Sequence, residues 1–200
     1  MSRWNQYAGF GLIGLLAASM LMAYFVFGQN QGSGSSGTQN ATILIIRHAE
    51  KPKKGHGLSK AGEKRAKDYV AYFQNYQVDS VPLKVDYLYT AADTSDSRRP
   101  RLTLEPFSKA VGMSIDSSIK DDQYQKLVSA IQAKPAGKQF LICWHHEEIP
   151  QLIGALGADS KQLIHSDKWP EDVYDWVIQL RYDSNGQVME AKRITEQFSH

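Results

Sequence analysis

Thr42-Ile43-Leu44-Ile45-Ile46-Arg47-His48-Ala49-Glu50-Lys51 is the stretch that decides how this chain is read. Thr42 to Ile46 is a short, β-rich apolar run without polar alternation, the pattern of a strand buried on both faces. It ends abruptly in charged residues and a histidine. The pattern returns at Phe140 to Trp144, which runs into His145-His146-Glu147-Glu148. Ligands of open α/β sheets bind outside the carboxyl ends of the strands. Two apolar strands that both end in histidine therefore point to a site. Between them, Ser97-Arg98-Arg99-Pro100-Arg101 follows an expected strand at Val85 to Tyr89 and opens an expected helix from about Arg99 to Val111. A helix N-terminus with arginines beside it suits an anion.

Outward from these segments the periodicity is helical. Ser59 is positioned to cap a helix with Ala66, Tyr69, Val70 and Phe73 on one stripe. Tyr124, Leu127, Val128 and Ile131 form a second stripe, and Ile149, Leu152, Ile153 and Leu156 a third. Tyr174 to Tyr182 and Val188 to Ile194 flank Asp183-Ser-Asn-Gly186, the signature of a hairpin. Strands alternating with helices predict an α/β fold around a largely parallel sheet, with a hairpin at its end. A domain of residues 41–200 is long enough for one real core.

Composition narrows the function classes. Hydrophobic residues at 42% and charged residues at 22% exclude a disordered, collagenous or rod-like chain. A net charge of +2 gives no ground for nucleic acid binding. The single cysteine, Cys143, excludes an internal disulfide framework and a cysteine-rich metal site. Its place in an apolar strand reads as an inert buried thiol.

The first 40 residues differ from the rest. No charged residue lies between Arg3 and Arg47. After a stub of residues 1–7, Ala8 to Phe27 is an uncharged, almost wholly apolar run of 20 residues. As a helix that is roughly 30 Å, about one bilayer core. It is longer than a usual signal-peptide core and lacks a clear small-residue cleavage site, so an uncleaved anchor is expected over a cleaved signal. Arg3 and the terminal amine flank one end, which puts the N-terminus inside and the remainder in an extracytoplasmic space. Residues 28–40, rich in Gly, Ser, Gln and Asn, read as a flexible tether.

Four motifs, in order, resemble the histidine phosphatase (phosphoglycerate mutase-like) superfamily. Arg47-His48-Ala49 matches the opening Arg-His-Gly, with Ala49 for the usual glycine. Leu58, Ser59, Gly62 and Ala66 match the start of the first helix; Arg99 stands four before Thr103; His145 stands four before Ile149. The resemblance spans about 110 residues. It implies a three-layer sandwich around a mostly parallel sheet and a phosphatase acting on a phosphorylated small molecule or phosphoprotein, without metal or cofactor. A mutase would need enclosing segments for which the chain has little room.

It also implies roles. His48 would be the nucleophile, and Arg47, Arg99 and His145 would hold the phosphoryl oxygens. Arg98 is a rival to Arg99, since the segment from Thr90 to Ser97 is unusually long and polar. Glu147 is the first choice for the acid that protonates the leaving group; Glu105, Asp121 and Asp122 are the alternatives from the middle of the chain. His146 is expected to line the pocket without chemistry, Trp169-Pro170 to pack, and Lys51, Lys53 and Lys54 to form a solvated basic cluster. The competing expectation is a catalytically silent phosphate-binding module at the membrane. Presence of all four of Arg47, His48, Arg99 and His145 weighs against it.

Overall fold

The computed structural model describes residues 36–198. Six strands form one sheet in the order β5-β4-β6-β1-β7-β8. These are β1 (Thr42–Arg47), β4 (Tyr87–Ala91), β5 (Ile115–Ile119), β6 (Gln139–Trp144), β7 (Trp176–Tyr182) and β8 (Val188–Thr195). β5, β4, β6 and β1 run parallel; β7 is antiparallel to β1, and β8 to β7. The expected terminal hairpin is thus the antiparallel extension of a mostly parallel sheet.

Side chains alternate across β1 as the pleat requires. Ile43 and Ile45 pack with α3 (Tyr124–Gln132), α4 (Ile149–Ala155) and α5 (Ser160–Ile164). Leu44 and Ile46 face α1 (Lys60–Gln74) and α2 (Arg99–Val111), among Tyr69, Phe73, Leu104 and Phe107. Both faces are covered, which explains why the strand sequence is apolar throughout.

Local signals set the helix bounds. The Ser59 side chain caps α1 by accepting from the Gly62 N–H at 3.1 Å. Gly62 is also a point of close approach, where an added Cβ would lie 2.5 Å from the Glu50 carbonyl oxygen. α2 ends at Gly112 in the left-handed conformation, φ 67°.

Several expectations shift. The strand expected at Val85 to Tyr89 begins at Tyr87, because Asp86 turns its carboxylate to the Gln139 N–H at 2.9 Å and to Lys138 at 3.1 Å. The strand expected from Tyr174 begins at Trp176, since Tyr174 stacks on Arg47. β5, the two-residue pair β2 (Gln77–Val78) and β3 (Val81–Pro82), and α5 carry no strong period and were not anticipated.

The expected tether ends too late. Residues 36–40 form a turn in which the Gly37 N–H donates to the Gln132 carbonyl and the Asn40 N–H to that of Asp183, with Gly37 and Thr38 buried. The expected anchor, residues 8–27, lies outside the described residues, as does the tether before Ser36. Among the described residues no helix is long and apolar enough to cross a membrane.

Candidate active site

β1 and β6 are parallel neighbours, with Arg47 opposite Trp144. The next residue on each chain is a histidine, so register alone brings His48 beside His145. The His48 N–H continues the ladder to the Trp144 carbonyl at 3.1 Å. The two rings stand 5.2 Å apart, centroid to centroid, at 68°.

His48 is held in one form. Its Nδ1 lies 2.8 Å from the Ala49 carbonyl oxygen. A carbonyl only accepts, so Nδ1 carries the proton and Nε2 keeps its lone pair. Burial, reinforced by the charges of His145, Arg47 and Arg99 and opposed by the Ala49 carbonyl, pushes its pKa down to about 2. The ring is therefore neutral at any ordinary pH. Burial also lowers His145; Asp121 and Glu147 oppose that shift, while Arg99 and Arg47 add to it.

Arg47 is buried, and its guanidinium is clamped from one side. Nη1 donates to the carbonyls of Pro170 (3.0 Å), Glu171 (2.7 Å) and Val173 (3.0 Å). The Tyr174 ring covers it at 3.9 Å. Nε and Nη2 are sealed from solvent and have no protein acceptor. Arg99 stands at the start of α2, with Nη1 3.4 Å from the Asp96 carbonyl and a buried Nε that likewise lacks an acceptor. Buried guanidinium N–H groups without partners are costly in a protein interior, and an oxyanion would satisfy them.

Thr103 ties these parts together. Its hydroxyl accepts from the Ala49 N–H at 2.9 Å and donates to the Arg99 carbonyl at 2.8 Å. It also meets the Cys143 thiol, whose pKa burial raises. The loop that fixes the His48 tautomer is thus joined to the helix that presents Arg99.

The structure therefore gathers Arg47, His48, Arg99 and His145. Arg98, by contrast, is exposed, and Arg101 pairs with Asp93 at 2.8 Å. The acid candidates separate. Glu105 sits on α2, paired with Lys109 at 2.9 Å and near Arg101 at 3.8 Å; the Lys109 hydrogen bond lowers its pKa, and it lines the groove between α1 and α2 with Leu58 and Ala66. Asp121 is close enough for its charge to act on His145, and its carbonyl accepts from Trp144 Nε1 at 2.9 Å. Asp122 is exposed, and its charge acts on Glu148. The Glu147 side chain is 68% exposed, with Oε2 3.1 Å from His146 Nδ1. Glu50 pairs with Arg65 at 2.9 Å. Lys51, Lys53 and Lys54 are exposed.

Sequence reading missed Tyr174 and the carbonyls of residues 170–173. Trp169 was assigned to packing; it is buried, and its Nε1 also donates to the Val173 carbonyl at 2.9 Å, bracing that loop. Backbone carbonyls leave no mark in a sequence. The only available signal was the aromatic cluster of Trp169, Tyr174 and Trp176.

No family model and no curated protein sequence matches the chain. Solved structures do. One, SixA from Agrobacterium tumefaciens, is 15% identical with a TM-score of 0.51, covering 79% of this chain and 99% of that one. A second, the protein histidine phosphatase SixA complexed with tungstate, is 13% identical with a TM-score of 0.50, covering 77% of this chain and 96% of that one. The likeness is one of fold: the chain shares the architecture of histidine phosphatases.

Proposed function

We propose that this protein hydrolyses phosphate monoesters through a phosphohistidine on His48. The observation that carries the reading is the His48 ring, neutral, pinned through Nδ1 to the Ala49 carbonyl, and surrounded by Arg47, Arg99 and His145. Nε2 attacks phosphorus. The unpartnered N–H groups of Arg47 and Arg99 meet the equatorial oxygens, with His145 beside them. The donors are in place before charge develops, so little reorganisation is needed. Glu147 is assigned to protonation of the leaving group; its charge acts on both His145 and Arg47. Water then releases phosphate from His48.

The substrate is a phosphorylated small molecule or a phosphoprotein. The protein histidine phosphatase of like fold that holds the oxyanion tungstate favours this class. Residues 8–27 tether the domain to a membrane as a single uncleaved helix, with the domain on the extracytoplasmic side. Resistance of the full chain to alkaline carbonate extraction checks the anchor. Release of a protein shortened by about 28 residues would replace the anchor with a cleaved signal.

The direct test of catalysis is rapid acid quench of full-length protein with labelled aryl phosphate. Label should be retained in an acid-labile, base-stable bond and should vanish in His48→Ala. Phosphate binding without turnover would leave the silent module as the reading.

A further inference from the structure

His146 is 8% exposed, yet no role above uses it. Its ring centroid lies 6.4 Å from that of His48, at 87°. Nδ1 is sealed from solvent and makes no hydrogen bond, and Glu147 Oε2 stands 3.1 Å from it. A buried nitrogen left unpaired is costly. Packing is a poor reason for it, because the ring stands edge-on to His48, beside the residues proposed to hold phosphate. Glu147 presents the opposite problem. Its side chain is largely in solvent, whereas the His146 ring is buried beside His48.

We propose that His146 hands the proton to the leaving oxygen and that Glu147 acts through it, accepting from Nδ1–H and stabilising the imidazolium. The inference rests on the phosphatase reading above. As the bond from His48 Nε2 to phosphorus forms, the bond from phosphorus to the ester oxygen breaks, and the Nε2 proton of His146 passes to that oxygen. His146 is left neutral, with Nδ1–H toward Glu147. In the second step a water oxygen bonds to phosphorus and its proton returns to His146 Nε2. The bond to His48 breaks and phosphate departs, so both rings end as they began.

Charge around His146 couples this cycle to substrate. Burial opposes protonation most, Arg47 and Lys51 oppose it, and Glu147 and Glu171 favour it. A phosphoryl dianion beside Arg47 offsets the opposing cations and so favours the charged form of His146 when substrate is bound.

The test compares turnover of nitrophenyl phosphate, whose leaving group needs little protonation, with that of an alkyl phosphate, on full-length protein in detergent. His146→Asn should raise the aryl-to-alkyl rate ratio roughly 100-fold, the scale of general acid catalysis. Glu147→Gln should raise it about 10-fold, and the double variant no further than His146→Asn alone, because one residue works through the other. Vanadate inhibition within about 3-fold of wild type shows that each variant is folded. If His146→Asn does not fold, the pH profile of Glu147→Gln for the alkyl substrate decides. Its basic limb should move to lower pH, whereas loss of the limb makes the carboxyl itself the donor and overturns the proposal. An unchanged ratio in His146→Asn, additive effects in the double variant, or a ratio shift in Asp121→Asn instead would each overturn it while leaving the phosphatase reading intact. Absence of both turnover and phosphoenzyme in the wild type overturns that reading and this proposal with it.

Discussion

Two arginines, Arg47 and Arg65, are buried in this domain, 0% and 5% exposed. Arg65, on α1, is ringed by carboxylates: Glu50 at 2.9 Å and Glu196 in direct contact. Burial works against its charge, but the Glu50 hydrogen bond and the Glu196 charge outweigh it and raise its pKa. Arg47 has only carbonyls and an aromatic face for partners, keeps two N–H sites without an acceptor, and burial lowers its pKa. A guanidinium neutralised by carboxylates locks chain segments together. One held by neutral groups carries uncompensated positive charge, which an anionic ligand completes.

The comparison predicts opposite phenotypes. Arg47→Ala should lower kcat/KM by roughly 10³- to 10⁵-fold, the scale of an arginine acting on a transferring phosphoryl group. Calorimetry of inorganic phosphate binding should show the matching loss. An Arg47→Ala enzyme that binds phosphate normally would break the distinction. Arg65→Met should instead destabilise by about 3–5 kcal/mol, because Glu196 is left buried without its cation. Denaturant unfolding measures this, and turnover per folded molecule should fall far less than for Arg47→Ala.

Thr103 sharpens the contrast at smaller scale. Thr103→Val leaves the buried Ala49 N–H unsatisfied, which costs about 1–3 kcal/mol. It also loosens the carbonyl that fixes the His48 tautomer, so kcat should drop while Thr103→Ser restores it. Equal kcat in Thr103→Val and wild type would remove Thr103 from the positioning of His48.

The smallest effect is in pH. His48 is neutral in the folded protein down to about 2, whereas an unfolded histidine titrates near 6.5. Below about pH 6.5 the unfolded chain binds a proton that the folded site refuses, so stability falls on acidification and is flat above. The slope is at most about 1.4 kcal/mol per pH unit for this group. His145 and His146, also lowered by burial, act in the same direction. His48→Gln, melted without phosphate between pH 7 and 5, should lose less stability than wild type. An equal loss would locate the acid sensitivity elsewhere.

What was legible in the sequence was local. The buried strands showed as unbroken apolar runs, because both faces of the sheet are covered. The Ser59 cap, the α2 start at Arg99 and the hairpin turn at Asp183 to Gly186 are short-range features written in neighbouring residues. β5 was invisible because its Ile-Asp-Ser-Ser-Ile sequence lies at the sheet edge, where solvent takes half of the alternation.

The four residues proposed to handle phosphate were determined by the sequence itself, since each sits at the end of a readable strand or the start of a readable helix. Only the tertiary structure decided what holds them. The clamp on Arg47 comes from carbonyls 123 to 126 residues away, and the cation balance at Arg65 depends on Glu196, 131 residues away. Tertiary structure also turned Arg99 rather than Arg98 toward the histidines, took Glu105 into a surface ion pair, and buried His146 against His48. Periodicity and capping reach only a few residues along the chain. Contacts made by closing long loops depend on strand order and register, and no local pattern encodes those.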